Sequence, residues 1–458
     1  VRMPPWQILR NWHQLKFLAG TLGNSFDCRM KNASCWFWIV ALSTIGLLMS
    51  PAAPTEEREW TSTAGTKLLA KATGVANGKV QFESSGGRTL SVPLEKLEET
   101  DRKFLTAHFK LGVAAASGAT PVSDLAHPLG EIVEGVATGA GSTYHVYLPE
   151  SLKAGRKGPL LFFTSAGGGK RKDIELMKEG ADLCGWILAA SVESSNKGGF
   201  PANYEHSKNC VEHLIETLPI DPDRVYFTGG SGGGATAMGN AARLDHAGVI
   251  CCIGYIPDNA PSGGDYLFVN GATDYNRSPS AHYRVQLGKD AFQLYHAAGH
   301  RLPPAWIMTG CIVRLNGIWL EEEEKNHPEE RLDFEASIIA WINRLKASEP
   351  WRSYAWAHFL LEDYEIKSNN SSIVEDLVRE LEMDPKNVRY REGLIALDKF
   401  AQDHFSEFGQ GSQMNHSTPK ITLASGNLSA EYTGIPHIEE VARAFAMPTV
   451  SAVSYTHL

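Results

Sequence analysis

Ser231, Asp274 and His300 follow one another in the chain order of a nucleophile, an orienting acid and a general base. Ser231 lies in Gly229-Gly230-Ser231-Gly232-Gly233, a G-x-S-x-G pattern. A β-branched and aromatic run, Val225-Tyr226-Phe227-Thr228, leads into it, and a helix-compatible segment, residues 235–244, follows. Strand, G-x-S-x-G, helix is the context of a nucleophile elbow, which lifts a serine hydroxyl onto a sharp turn at the carboxyl edge of a sheet. The flanking glycines are required where strand and helix backbones approach closely, and the serine itself occupies a strained φ/ψ region. The chemistry is acyl transfer, with Ser231 attacking a carbonyl carbon. A phosphate-cradling loop would need a Lys-Ser/Thr pair after the glycines, and none follows.

The partners sit where strands should end. Residues 265–270 read as an apolar strand running into Gly271-Ala272-Thr273-Asp274. Residues 291–295 form a further apolar run, ahead of Ala297-Ala298-Gly299-His300 and the amphipathic segment 305–320. Open α/β sheets place their sites on such loops. His300 takes the serine proton and later returns it, while Asp274 fixes the imidazole tautomer and stabilises its charge. Asp290, Asp265 and Asp258 compete with Asp274, which is preferred for its position at a strand end. His296, His282 and His327 compete with His300. His296 falls within the strand, His282 on a helix predicted over 279–289, and His327 after the acidic run 321–324, which reads as a solvated face. The oxyanion requires two backbone N–H groups. Gly232 supplies one, and the loop after strand 160–163, Thr164-Ser165-Ala166-Gly167-Gly168-Gly169, supplies the other. Gly167 is the first choice there, with Ala166 or Gly168 one residue of register away. The stretch 193–204 is expected as a loop lining the substrate, with Phe200, Asn203 and Tyr204 as contacts.

Residues about 140–320 resemble the α/β-hydrolase superfamily, in its polyhydroxybutyrate-depolymerase and feruloyl-esterase-like branch. The residues that carry the resemblance are Tyr144-His145-Val146-Tyr147-Leu148-Pro149, Ile220-Asp221-Pro222-Asp223-Arg224-Val225-Tyr226 ahead of the elbow, Asp274 in GATDYNR, and Gly299-His300. Ser165-Ala166 stands where that branch has His-Gly, and the separation between Asp274 and His300 is short. The resemblance implies a doubly wound α/β sheet and a secreted carboxylic-ester hydrolase. It also implies polysaccharide acyl esters or short polyester chains as substrates, and no cofactor. A reading of a different class is a hydrolase fold without activity that binds a protein or polymer together with the β-rich unit described next.

The chain of 458 residues has room for two or three domains. A net charge of −9 gives no reason to expect nucleic acid or an anionic membrane surface as partner. Seven cysteines include no C-x-x-C and no Cys/His cluster with zinc spacing, so no metal is expected. Residues 1–29 carry no organised pattern and read as an upstream or non-native extension. Residues 30–53, containing the apolar run 35–49, read as a signal peptide, or alternatively as an uncleaved anchor, and imply export. Export makes a Cys184–Cys210 disulfide worth testing. Residues 56–109 alternate in short strands with hairpin signals at 64–65, 77–78 and 86–87. Trp60, Gly65, Ala70, Val80, Gly87, Val92-Pro93-Leu94, Leu97 and Asp101 make this stretch similar to the first-type Sla homology domain, an SH3-like barrel. That resemblance implies docking of a protein or polymer. Residues 110–139 read as a linker, 140–345 as the hydrolase domain, 346–448 as a helical region and 449–458 as a tail.

Overall fold

The computed structural model describes residues 57–449, apart from 64, 77–78, 85–88, 109–124, 154, 258–260, 262, 289–290, 324–325, 367, 369 and 407–417. The expected signal peptide, upstream extension and tail lie outside the described residues. The described residues form two compact units, one on either side of position 117/118.

In the first unit, β1 (Arg58–Thr61), β2 (Lys67–Ala76), β3 (Lys79–Glu83) and β4 (Thr89–Pro93) pair antiparallel in sequence order. A helix, α1 (Glu99–His108), follows. Trp60 is buried, packs against Phe82, and donates its indole N–H to the Ala70 carbonyl at 2.9 Å. Asp101 ties the helix to the sheet: one oxygen pairs with Arg58 at 2.8 Å and the other accepts the Thr61 N–H at 2.7 Å. The hairpin tips expected at 77–78 and 86–87 lie outside the described residues.

The second unit is built on an eight-stranded mixed sheet. Its strands are β5 (Ile132–Ala137), β6 (Thr143–Tyr147), β7 (Gly158–Ser165), β8 (Ile187–Ser191), β9 (Ile220–Gly230), β10 (Gly248–Cys252), β11 (Asp265–Gly271) and β12 (Ala291–His296). The spatial order is β5-β6-β8-β7-β9-β10-β11-β12. β6 runs antiparallel to both its neighbours, and every pair from β8 to β12 is parallel. Parallel strands are covered on both faces, so they read as continuous apolar runs rather than alternating ones. Period-two geometry then sends alternate side chains to opposite layers. Leu160, Phe162, Val225 and Phe227 pack in one core with Cys210, Leu214 and Met238. Leu161, Phe163, Tyr226 and Ile250 pack in the other with Ile174, Met308, Cys311 and Ile312. This mixed sheet with helices on both faces is consistent with the doubly wound α/β-hydrolase arrangement. The strand β5 corrects the reading of 110–139 as linker throughout. Residues 132–137 pair with β6 at the sheet edge, and Val133 and Val136 pack on the core.

The helices of this unit are α2 (Arg171–Glu175), α3 (Lys178–Cys184), α4 (Gly199–Thr217), α5 (Gly232–Ala241), α6 (Arg277–Leu287), α7 (Ala305–Glu322), α8 (Pro328–Ser348), α9 (Pro350–His358), α10 (Ser371–Glu382), α11 (Pro385–Phe405), α12 (Pro419–Glu431) and α13 (Ile438–Phe445). Among the described residues no helix is long and apolar enough to cross a membrane. The division at 345/346 is corrected, because that position falls inside α8. Val313 and Leu320 of α7 share one core with Trp341, Leu360 and Leu377. Ala281 and Tyr295 share another with Phe400, Ile438 and Phe445. Cys184 and Cys210 are free, and the disulfide expectation is corrected. Cys210 lies in one sheet-face core and Cys184 packs against the other. Burial pushes the Cys210 thiol up to about 12, so it behaves as a small apolar side chain.

His437, at the start of α13, adopts φ 64° and stands edge-on to Trp306 at 5.0 Å. Burial, aided by nearby His296, lowers its pKa from 6.5 to about 4. The folded state therefore binds this proton less readily than the unfolded chain. The resulting stabilisation is complete above pH 6.5 and is lost as pH falls from there toward 4. Its ceiling is about 3 kcal/mol for a shift of that size, reduced by the partial exposure of the ring. Urea unfolding midpoints from pH 7 to pH 4 should fall more steeply for the native chain than for His437→Gln. Equal slopes would show that His437 titrates normally.

Candidate active site

Gly229, at the end of β9, and Gly233, in the first turn of α5, face the Thr164 carbonyl. A Cβ on either would collide with it. Thr164 fixes the crossing by donating its hydroxyl to the Gly233 carbonyl at 2.7 Å. Ser231 turns the chain between strand and helix with φ 60° and ψ −122°, a conformation strained for a residue with a side chain. Its N–H is held by the Cys252 carbonyl at 3.0 Å, so the end of β10 braces the elbow.

Asp274 and His300 come from neighbouring parallel strands whose ends are level, with Gly271 opposite His296. The two loops beyond them are joined by Ala272 N–H to the His296 carbonyl (2.7 Å) and Thr273 N–H to the Ala298 carbonyl (3.2 Å). Gly271 permits this closure, since a Cβ there would strike the Ala298 and Gly299 carbonyls. The short separation between acid and base is spanned by α6 and β12 alone. His300 Nδ1 lies 2.8 Å from Asp274 Oδ1, and His300 Nε2 lies 2.7 Å from Ser231 Oγ.

Asp274 is fully buried. Asn270 Nδ2 donates to its Oδ2 at 2.9 Å, and the Asn276 N–H donates to its Oδ1 at 3.1 Å. Gln293 in turn donates to Asn270 Oδ1 at 3.1 Å. An acceptor-only carboxylate leaves the His300 Nδ1 proton directed at it, so Nε2 is the free lone pair facing Ser231. The competing residues lie elsewhere. His296 ends β12 with its ring buried, which lowers its pKa. His282 contacts the Ser406 carbonyl at 3.0 Å, and His327 lies beside Glu330 at 3.6 Å. Asp265 opens β11 at the far edge of the sheet, while Asp258 and Asp290 lie outside the described residues.

Gly232 is the first residue of α5, and the first helical bond at this end runs from Ala235 N–H to the Ser231 carbonyl. Its N–H is thus one of the donors a helix N-terminus leaves unbonded, where the dipole favours negative charge. Across from it, the Gly168 N–H is committed to the Ser194 carbonyl (2.9 Å) and the Gly169 N–H to the Ser191 carbonyl (2.7 Å). This rules Gly168 out of the register. Gly167 N–H makes a bond of 3.3 Å to the Ser165 hydroxyl, and its Cα faces open space.

The expectation for 193–204 needs correction. The loop ends at Gly198, and Phe200, Asn203 and Tyr204 lie on α4. Asn203 is buried, and its amide bonds both the N–H and the carbonyl of Ser195 at 3.0 Å. It braces the loop rather than facing a substrate. Tyr204 packs on Gly239 of α5 with the Arg243 guanidinium over its ring at 4.0 Å, and Phe200 stacks on Tyr204. Two residues near the elbow escaped the sequence reading. Asn196 bonds its N–H to the Ala166 carbonyl at 3.0 Å, and its carboxamide occupies the space a Gly232 side chain would need. Tyr275 brings its hydroxyl to 2.9 Å from His300 Nε2 and stacks on the imidazole, centroids 4.2 Å apart. An aromatic directly after the strand-end acid was the one signal for it. Among the described residues no group of three or more His, Cys, Asp or Glu side chains is placed to hold a metal ion.

The fold and this arrangement define a doubly wound α/β sheet with a Ser–His–Asp constellation at its carboxyl edge. No family model matches the chain, and no curated protein matches it. Solved structures do. An esterase from the archaeon Pyrobaculum calidifontis is 13% identical, covering 43% of this chain and 89% of its own, with a TM-score of 0.35. An arylesterase is 13% identical over 48% of this chain and 98% of its own, with a TM-score of 0.34. Est1E from Butyrivibrio proteoclasticus is 15% identical over 42% and 99%, with a TM-score of 0.34.

Proposed function

We propose that this protein is an exported serine hydrolase that cleaves carboxylic esters through an acyl-enzyme. The observation that carries this reading is the unbroken line from Ser231 Oγ to His300 Nε2 (2.7 Å) and from His300 Nδ1 to Asp274 Oδ1 (2.8 Å). Ser231 Oγ attacks the carbonyl carbon as its proton passes to Nε2. The oxyanion forms between the Gly232 and Gly167 N–H groups. The leaving alcohol takes the proton, and water repeats the sequence to free the acid. The substrate class follows the sequence resemblance: acyl esters on plant polysaccharides, or short polyester chains. The N-terminal four-stranded unit, read as a Sla-homology-like, SH3-like module, would dock the polymer or a partner protein.

The test is reaction with a fluorophosphonate probe, which marks activated serines. The native chain should be labelled, and His300→Ala should lose labelling by at least about 100-fold because the general base is gone. A folded native chain that resists the probe would overturn the mechanism. A labelled chain should then be screened with aryl and feruloyl esters.

A further inference from the structure

We propose that Tyr275 is a fourth catalytic side chain, whose hydroxyl carries the His300 proton to the leaving-group oxygen. The proposal rests on the serine-hydrolase reading above. Tyr275 follows Asp274 on the turn after β11 and is half-buried. Its hydroxyl lies 2.9 Å from His300 Nε2, and its ring is stacked on the imidazole with 23° between the planes. Ser231 Oγ reaches the same nitrogen from 2.7 Å. With Nδ1–H directed at Asp274, Nε2 offers one lone pair in the ring plane, and two hydroxyl groups lie within reach of that nitrogen, the Tyr275 hydroxyl from the stacked face. Ser231 must use the lone pair to become a nucleophile. The Tyr275 hydroxyl is then a second donor held against the reacting nitrogen, and once Nε2 is protonated and Ser231 Oγ is bonded to the acyl carbon, its oxygen is an acceptor within reach at 2.9 Å.

The proton balance is closed. In the first step the bond from Ser231 Oγ to the acyl carbon forms, and the serine proton moves to Nε2. In the second, the bond from acyl carbon to leaving oxygen breaks, and its electron pair stays on that oxygen. The Tyr275 proton moves to the leaving oxygen while the Nε2 proton moves to the Tyr275 oxygen. The phenol ends as it began, the imidazole is neutral, and an alcohol departs. Deacylation runs the same path with water as the entering group. A strongly basic alkoxide needs this proton to leave, whereas an acidic phenolate leaves without it.

The experiment compares the native chain with Tyr275→Phe, which keeps the ring stack and removes only the hydroxyl. kcat/KM, which reads acylation, is measured for esters of one acid with leaving groups graded from p-nitrophenol to ethanol. Ethyl esters should fall by about 10- to 100-fold while p-nitrophenyl esters stay within about threefold. Fluorophosphonate labelling should stay near the native rate, because fluoride departs without a proton; this also shows that the variant is folded. A uniform loss along the series would overturn the proposal and leave Tyr275 a positioning residue whose hydroxyl orients His300, and no loss at all would overturn it as well. In both cases Ser231-dependent turnover by the native chain would keep the hydrolase reading standing. A native chain that neither labels nor turns over any ester would overturn both.

Discussion

Ser231→Ala should lower kcat for any ester the native chain cleaves by about a millionfold, to the level left by binding and the oxyanion donors. The expectation follows from how the three side chains share one task. His300 Nε2 acts on the Ser231 proton at 2.7 Å, and Asp274 acts only through His300. Once the serine oxygen is gone, the other two have nothing to activate. His300→Ala added to Ser231→Ala should therefore cost almost nothing further, far from the product of the single losses. The unfolding midpoint should move little. Alanine inherits the same strained φ of 60° at the elbow, and the buried glycine contacts around it are untouched. Turnover within about tenfold of the native rate would show that Ser231 is not the nucleophile.

The parts of this site legible in the sequence are those set by local rules. The requirement for glycine at 229 and 233 could be stated before any coordinates, because a strand turning directly into a helix brings their backbones against a neighbour. That neighbour is the Thr164 carbonyl. The strand ends carrying Asp274 and His300 were legible because buried parallel strands are continuous apolar runs. What escaped depends on partners distant in the chain. Asn203 looked like a polar residue beside a substrate loop. Its amide is instead spent on Ser195, which only the packing of α4 reveals. Residues 132–137 looked like linker because an edge strand with one exposed face carries little apolar signal, and β6 supplies its order. Asn196 and Tyr275 gave no periodic signal. Their importance comes from the loop crossings that set one against Gly232 and the other against His300.

Asp274→Asn should reduce kcat by about ten-thousandfold, and the reason is tautomeric rather than steric. The native carboxylate accepts from three sides: His300 Nδ1 and the Asn276 N–H meet Oδ1, and Asn270 Nδ2 meets Oδ2. An asparagine there can present only one oxygen. If that oxygen faces His300 and Asn276, its NH2 group confronts the NH2 group of Asn270. If it turns toward Asn270, its NH2 group donates to His300 Nδ1, moves the imidazole proton to Nε2, and removes the base that Ser231 needs. Each arrangement sets one buried donor against another, Asn270 Nδ2 in the first and the Asn276 N–H in the second, and the ten-thousandfold loss is the expectation for the second. Changing the neighbour should therefore recover part of the loss. In Asp274→Asn/Asn270→Asp the new carboxylate accepts the NH2 group of the introduced amide, and the oxygen of that amide again faces Nδ1. The double variant should be at least about tenfold faster than Asp274→Asn alone, although Asn270→Asp by itself places two carboxylates in contact and should be slower than the native chain. The measurement is kcat on one aryl ester for the native chain and the three variants. A loss below tenfold in Asp274→Asn would show that Asp274 does not orient His300. A full loss without rescue would mean that charge, rather than tautomer, is what His300 draws from this side chain.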